Sequence, residues 1–95
     1  MSDPVTVSLE VIPLCEDPFP VVDQAIAVIQ RSGVRYEVGP HETTMEGPLD
    51  DLLEIVKAGH RACLEAGAKN VVTIVKIVES ATGTTIDDKV GKYRE

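Results

Sequence analysis

Ninety-five residues suffice for one hydrophobic core and leave no room for a second, so residues 1–95 are expected to form one domain. Nine basic against sixteen acidic side chains give a formal charge of −7 at pH 7, a field that repels polyanions and excludes nucleic acid as a partner. A hydrophobic fraction of 43% excludes disorder, and no apolar run reaches the ~20 residues of a membrane span.

The first residues, Met1-Ser2-Asp3-Pro4, carry no basic region followed by an apolar run, so no signal peptide is expected. Cys15 and Cys63 are isolated thiols without CxxC or Cys/His spacing, which points away from a disulfide and from zinc. Aromatic residues are limited to Phe19, Tyr36 and Tyr93, so the core must be built from Val, Ile, Leu and Ala.

Val5 to Ile12 alternates apolar and polar, the period of a half-buried strand. Val5, Val7, Leu9 and Val11 share one face; Thr6, Ser8, Glu10 and Ile12 share the other. Pro13 ends the run, since proline cannot donate to a ladder. Pro18 and Pro20 precede a helical stretch in which Val22, Ala25, Ile26 and Ile29 form the apolar stripe, and Ser32-Gly33 stops it. Val34 to Val38 alternates again. Gly39-Pro40-His41-Glu42 turns that strand into a third, Thr43 to Gly47.

Pro48 opens a second helix with Leu49, Leu52, Leu53, Val56, His60, Cys63 and Leu64 on one stripe. Asp50, Asp51 and Glu54 lie in its early turns, where the helix dipole favours negative charge. Gly67 closes it, and Val71 to Val78 is the strongest strand signal in the chain. Thr84 to Arg94 reads as a polar tail holding a short strand or extended segment. Strand, helix, strand, strand, helix, strand is the α+β, ferredoxin-like order: a four-stranded antiparallel sheet with two helices on one face. Its other face is uncovered in a lone subunit, which predicts a homo-oligomer formed by sheet-to-sheet packing.

The series Ser32-Gly33-Val34-Arg35-Tyr36-Glu37-Val38-Gly39-Pro40, followed by Thr43-Thr44-Met45-Glu46-Gly47, resembles the small thiamine-binding protein family, relatives of the YkoF-type binders of thiamine and hydroxymethylpyrimidine. The likeness spans nearly the whole chain. It implies a ferredoxin-like subunit in a cytoplasmic homotetramer, a dimer of dimers, that binds thiamine (vitamin B1) or its pyrimidine part without chemistry. The match departs in the turn, where His41 and Glu42 stand in place of Met and Gly and add a charge beside the expected pocket.

Thr43, Thr44 and Glu46 lead the binding candidates. A carboxylate accepts hydrogen bonds from an aminopyrimidine and neutralises a thiazolium; the hydroxyls donate or accept. Their plain reading is strand threonines and a solvated glutamate. Tyr36 is either a stacking platform or a core aromatic, and Glu37 either a second counter-charge or a solvated strand residue. Ser8 and Glu10 line a pocket or a subunit interface on the face opposite the helices. Pro13 and Leu14 form a pocket wall or a loop, and Ser32 a contact or a cap.

Against catalysis, His60 falls on an apolar helix stripe, and Cys15 precedes Glu16 and Asp17, whose charge disfavours a thiolate. His41 has no second ligand at metal spacing. The sequence therefore predicts no enzyme, no catalytic residue, no metal and no cofactor. It predicts a binding protein for a small molecule, with a structural oligomer or a regulatory domain for another metabolite as alternatives.

Overall fold

The computed structural model describes residues 3–93. Four strands, β1 (Val5–Pro13), β2 (Arg35–Val38), β3 (Thr43–Gly47) and β4 (Val71–Val78), form one sheet in the order β2-β3-β1-β4. Every neighbouring pair is antiparallel. Helices α1 (Phe19–Arg31) and α2 (Leu49–Glu65) pack on one face, completing the ferredoxin-like α+β arrangement.

Period-two alternation decides which residues enter the core. Val7 lies opposite Met45 on β3 and Ile77 on β4, and Leu9 opposite Thr43 and Val75. Val5, Val7, Leu9 and Met45 thus form the floor onto which Ile29, Leu52 and Val56 descend from the helices. Met45 and Leu52 are fully buried, and each side chain so removed from water stabilises the fold by about 1.5–3 kcal/mol. A smaller cluster of Val21, Ala25, Cys63 and Ala68 closes the far end.

Both helices begin at prolines. Pro18 sits at the α1 N-cap with Pro20 in the first turn, and Pro48 caps α2. The buried line of α1 is Val21, Ala25 and Ile29, so Val22 and Ile26 flank the core rather than lead it. Along α2 it is Leu52, Val56, Gly59 and Cys63, which leaves Leu64 45% exposed. The departure has a cause in Gly59: a Cβ there would lie 3.1 Å from Leu9 Cδ2 and 3.8 Å from the Ala25 side chain. The helix approaches β1 and α1 tightly at its one residue without a side chain. His60 is half-buried, its Nδ1 hydrogen-bonded to the Thr73 hydroxyl.

The segment after β4 corrects the sequence reading. It is neither strand nor extended tail but a short helix α3 (Ile86–Val90) followed by a 3-10 turn (Gly91–Tyr93); Arg94 lies outside the described residues. Thr85 caps α3 by accepting from the Asp88 N–H at 3.1 Å, and Asp87 and Asp88 occupy its first turn. Thr84 ties the segment to β1 and β4. Its N–H donates to the Pro4 carbonyl, its hydroxyl donates to the Val78 carbonyl and accepts from the Thr6 N–H. The face opposite α1 and α2 is therefore partly covered, by this C-terminal segment, at the Thr6 end.

Candidate ligand-binding site

Register assigns each polar strand residue to a face. Ser8 lies opposite Thr44 on β3 and Lys76 on β4; Glu37 lies opposite Thr44, and Arg35 opposite Glu46. Ser8, Glu10, Glu37, Thr44, Glu46, Arg35 and Lys76 thus belong to the open face, away from α1 and α2. Tyr36 pairs with Met45 and Thr43 with Leu9, which puts both on the helix side. Thr43 is buried there, and Tyr36 is 37% exposed at the sheet edge.

The Gly39–Glu42 turn sets the site's near wall. The Gly39 N–H donates to the Glu42 carbonyl at 2.9 Å, and a Cβ at position 39 would fall 2.9 Å from that same oxygen. Glycine is required for the turn to close this tightly. The closure brings Glu42 back over the sheet, where Lys76 Nζ donates to its Oε1 at 3.3 Å and lies 3.0 Å from its Oε2 as an ion pair. This pair reaches from β4 across β1 to the β2–β3 turn.

Two adjoining hollows open on this face. The larger, about 590 Å³, is walled by Glu10, Glu37, Glu42, Thr44, Lys76 and, from α3, Val90. The smaller, about 170 Å³, lies over Thr6, Ser8 and Val78 and shares Glu42, Thr44 and Lys76 with the first. Among the described residues no three His, Cys, Asp or Glu side chains are arranged to hold a metal ion. The carboxylates are spread around the groove and do not converge on a point. Chemically the groove offers hydrogen-bond acceptors and negative charge to a flat, cationic or donor-rich molecule.

Of the residues singled out in the sequence, Ser8, Glu10, Glu37 and Thr44 meet at these hollows. Glu46 shares their face but is turned to α3: its Oε1 accepts from the Ile86 N–H at 2.8 Å and lies 3.9 Å from Arg35. Arg35 in turn grips Asp87 with two hydrogen bonds of 2.7 and 3.0 Å. The hydrogen bonds from Arg35 hold the Asp87 carboxyl below its usual range and raise the guanidinium.

Tyr36 and Thr43 stay on the opposite face, apart from the groove. Pro13 pairs with Val71 at the end of β1, and Leu14 is exposed beyond it. Ser32 is a cap: its hydroxyl donates to the Ile29 carbonyl at 2.6 Å and accepts from the Val34 N–H. Sequence reasoning missed Lys76 and Val90. The signal for Lys76 was present, because it is the one charged residue in the Val71–Val78 run. A roomier hollow of about 680 Å³ between the outer sides of α1 and α2, lined among others by Arg31, Arg61 and Ala62, holds none of the residues above. Volume alone does not choose the site.

Comparisons with known proteins agree with the fold. Residues 7–94 match the model of a family described as thiamine-binding protein. A UPF0045 protein of Clostridium perfringens is 53% identical over 94 residues, covering 97% of this chain and 99% of that protein. The solved structure of a domain of unknown function from Bacillus cereus superposes with a TM-score of 0.92 at 54% identity, covering 99% of this chain and 93% of that one. A candidate thiamine biosynthesis/salvage protein from Thermotoga maritima gives a TM-score of 0.87 at 43% identity, covering 96% and 99% of the two chains. The chain belongs to the thiamine-binding protein family.

Proposed function

We propose that the chain is a non-catalytic binding protein that holds thiamine or its hydroxymethylpyrimidine part in the open-face groove of a homo-oligomer. One observation carries the reading: in a chain of the thiamine-binding family, Glu10, Glu37, Glu42 and Thr44 surround about 590 Å³ on the sheet face the two long helices leave bare. Carboxylates and a hydroxyl suit an exocyclic amine and a ring cation. The groove is broad and open, so one subunit supplies a floor and a second copy supplies the roof.

The oligomer has its own support. Val72, Ile74 and Val78 lie on the same face of β4 and are each at least 40% exposed. Apolar residues in a row on a sheet face mark a surface that packs against another protein. A tetramer, as a dimer of dimers, is the assembly in keeping with the family. The free, exposed thiol of Cys15 suits a reducing cytoplasm.

Calorimetric titration with thiamine and with hydroxymethylpyrimidine tests the reading. Heat saturating at one ligand per groove is expected; none at millimolar ligand overturns it. The apolar row also favours a second reading, an oligomer whose sheet face serves assembly alone. In that case sedimentation shows an intact oligomer while every thiamine-type titration is silent.

A further inference from the structure

We propose that Lys76 is a built-in occupant of the cation subsite on Glu42, and that a cationic ligand enters the groove by displacing it. The inference rests on the binding reading above and names what the site selects: an organic cation in preference to a neutral heterocycle.

The geometry supplies the argument. Lys76 Nζ lies within hydrogen-bond distance of both Glu42 carboxylate oxygens, 3.0 and 3.3 Å away. It sits on a carboxylate that the positive end of a ligand would otherwise meet. The two hollows share Glu42, Thr44 and Lys76, so this ion pair is the partition between about 590 Å³ on the Glu10 side and about 170 Å³ over Ser8. When the partition opens, the two hollows become one trough.

The partition is also easy to open. The Lys76 side chain is 63% exposed and that of Glu42 28%. Ion pairs this close to solvent contribute little and exchange readily. Lysine carries its charge on a flexible four-carbon stem, and swinging outward returns the ammonium to water with no backbone movement. The strand neighbours of Lys76 on this face, Ile74 and Val78, hold no competing charge. A ligand cation replaces the ammonium on Glu42, and the local charge stays balanced. A neutral ligand cannot make that exchange, so it meets a divided groove.

The test is calorimetry on the full chain, wild type and Lys76→Met, with Lys76→Gln as a polar second replacement and thermal melts to verify folding. Thiamine is the cationic probe and hydroxymethylpyrimidine the neutral one. Removing the internal competitor is expected to tighten thiamine about three- to tenfold. Hydroxymethylpyrimidine, which brings no charge to exchange with the ammonium, should gain clearly less than thiamine does. The gain must depend on Glu42, so in a Glu42→Gln background Lys76→Met changes thiamine affinity little. Unchanged or weaker thiamine binding in Lys76→Met overturns the exchange while leaving the binding reading intact. So does a gain that survives Glu42→Gln. Silence of both ligands on the wild type sinks the binding reading and the exchange together.

Discussion

Glu46 Oε1 accepts a hydrogen bond from the Ile86 backbone N–H at 2.8 Å, joining β3 to the first residue of α3. The carboxylate stands at the helix start, where backbone donors lack intrahelical partners. Ile86 itself is 3% exposed, so the contact fixes a buried anchor. Glu46 is thereby a docking residue for the C-terminal segment. Glu46→Ala should loosen α3 by about 1–2 kcal/mol, the worth of a charge-assisted hydrogen bond. Amide exchange at Ile86 should then quicken by roughly five- to thirtyfold. Thiamine affinity should change less than about twofold, as for a substitution away from the site. A large loss of affinity with unchanged exchange would reverse the assignment.

The groove residues should behave in the opposite way. Thr44→Ala removes a hydroxyl from the wall common to both hollows. Loss of one hydrogen bond costs about 1 kcal/mol, or about fivefold in affinity. Glu10→Gln, which removes a charge, should cost at least as much for thiamine. Neither should move the melting temperature by more than a few degrees, since neither belongs to the buried clusters. Tyr36→Phe, on the helix side of β2, should bind like the wild type. Titration of the three variants separates the two faces of the sheet.

Acid should release α3 before it unfolds the sheet. The hydrogen bonds from Arg35 hold the folded Asp87 carboxyl below its ordinary value of 3.8. A depressed folded value means the contact is at full strength above the ordinary carboxylate value and is lost as pH falls through the depressed one. The transition therefore lies below about pH 4. The side-chain carboxyl carbon of Asp87 in an NMR titration reports it: a midpoint below 3.8 is expected, and one at or above that value would contradict the contact. Arg35→Lys gives up the two-pronged grip and should move the midpoint upward.

The two cysteines should part cleanly. Cys15 is exposed and Cys63 fully buried. Burial raises the Cys63 thiol, and a raised folded value gives stability that is whole below the ordinary value of 9.0 and lost as pH climbs past it. A disulfide reagent at neutral pH should label one thiol per chain at once, the second only with unfolding. Rapid double labelling would mean that the Val21–Cys63 end of the core opens freely.

How much of this was legible in the chain follows from the length of each pattern. Seven residues of β1, Val5 to Val11, alternate without a break, so its two faces, and with them Ser8 and Glu10, could be read directly. The same rule paired Thr44 with Glu46 on one side of β3. What it could not show is that Glu46 is claimed by α3, because that helix is five residues long with a single deeply buried side chain among those described. Thr85 as a cap before Asp87 and Asp88 was its only local signature. Lys76 stayed hidden for another reason. Its partner Glu42 lies 34 positions away and two strands across the sheet, a neighbour that only register reveals. The α2 stripe misled at Leu64 because hydrophobicity ignores Gly59, whose missing side chain is what draws the helix down onto Leu9.

Chemical-shift mapping of the isotope-labelled protein with thiamine tests the central claim most directly. Backbone amides of Glu10, Glu42, Thr44 and Lys76 are expected to shift together and saturate along one curve. Shifts gathered instead at Val21, Arg61 and Ala62, between the outer sides of α1 and α2, would contradict it.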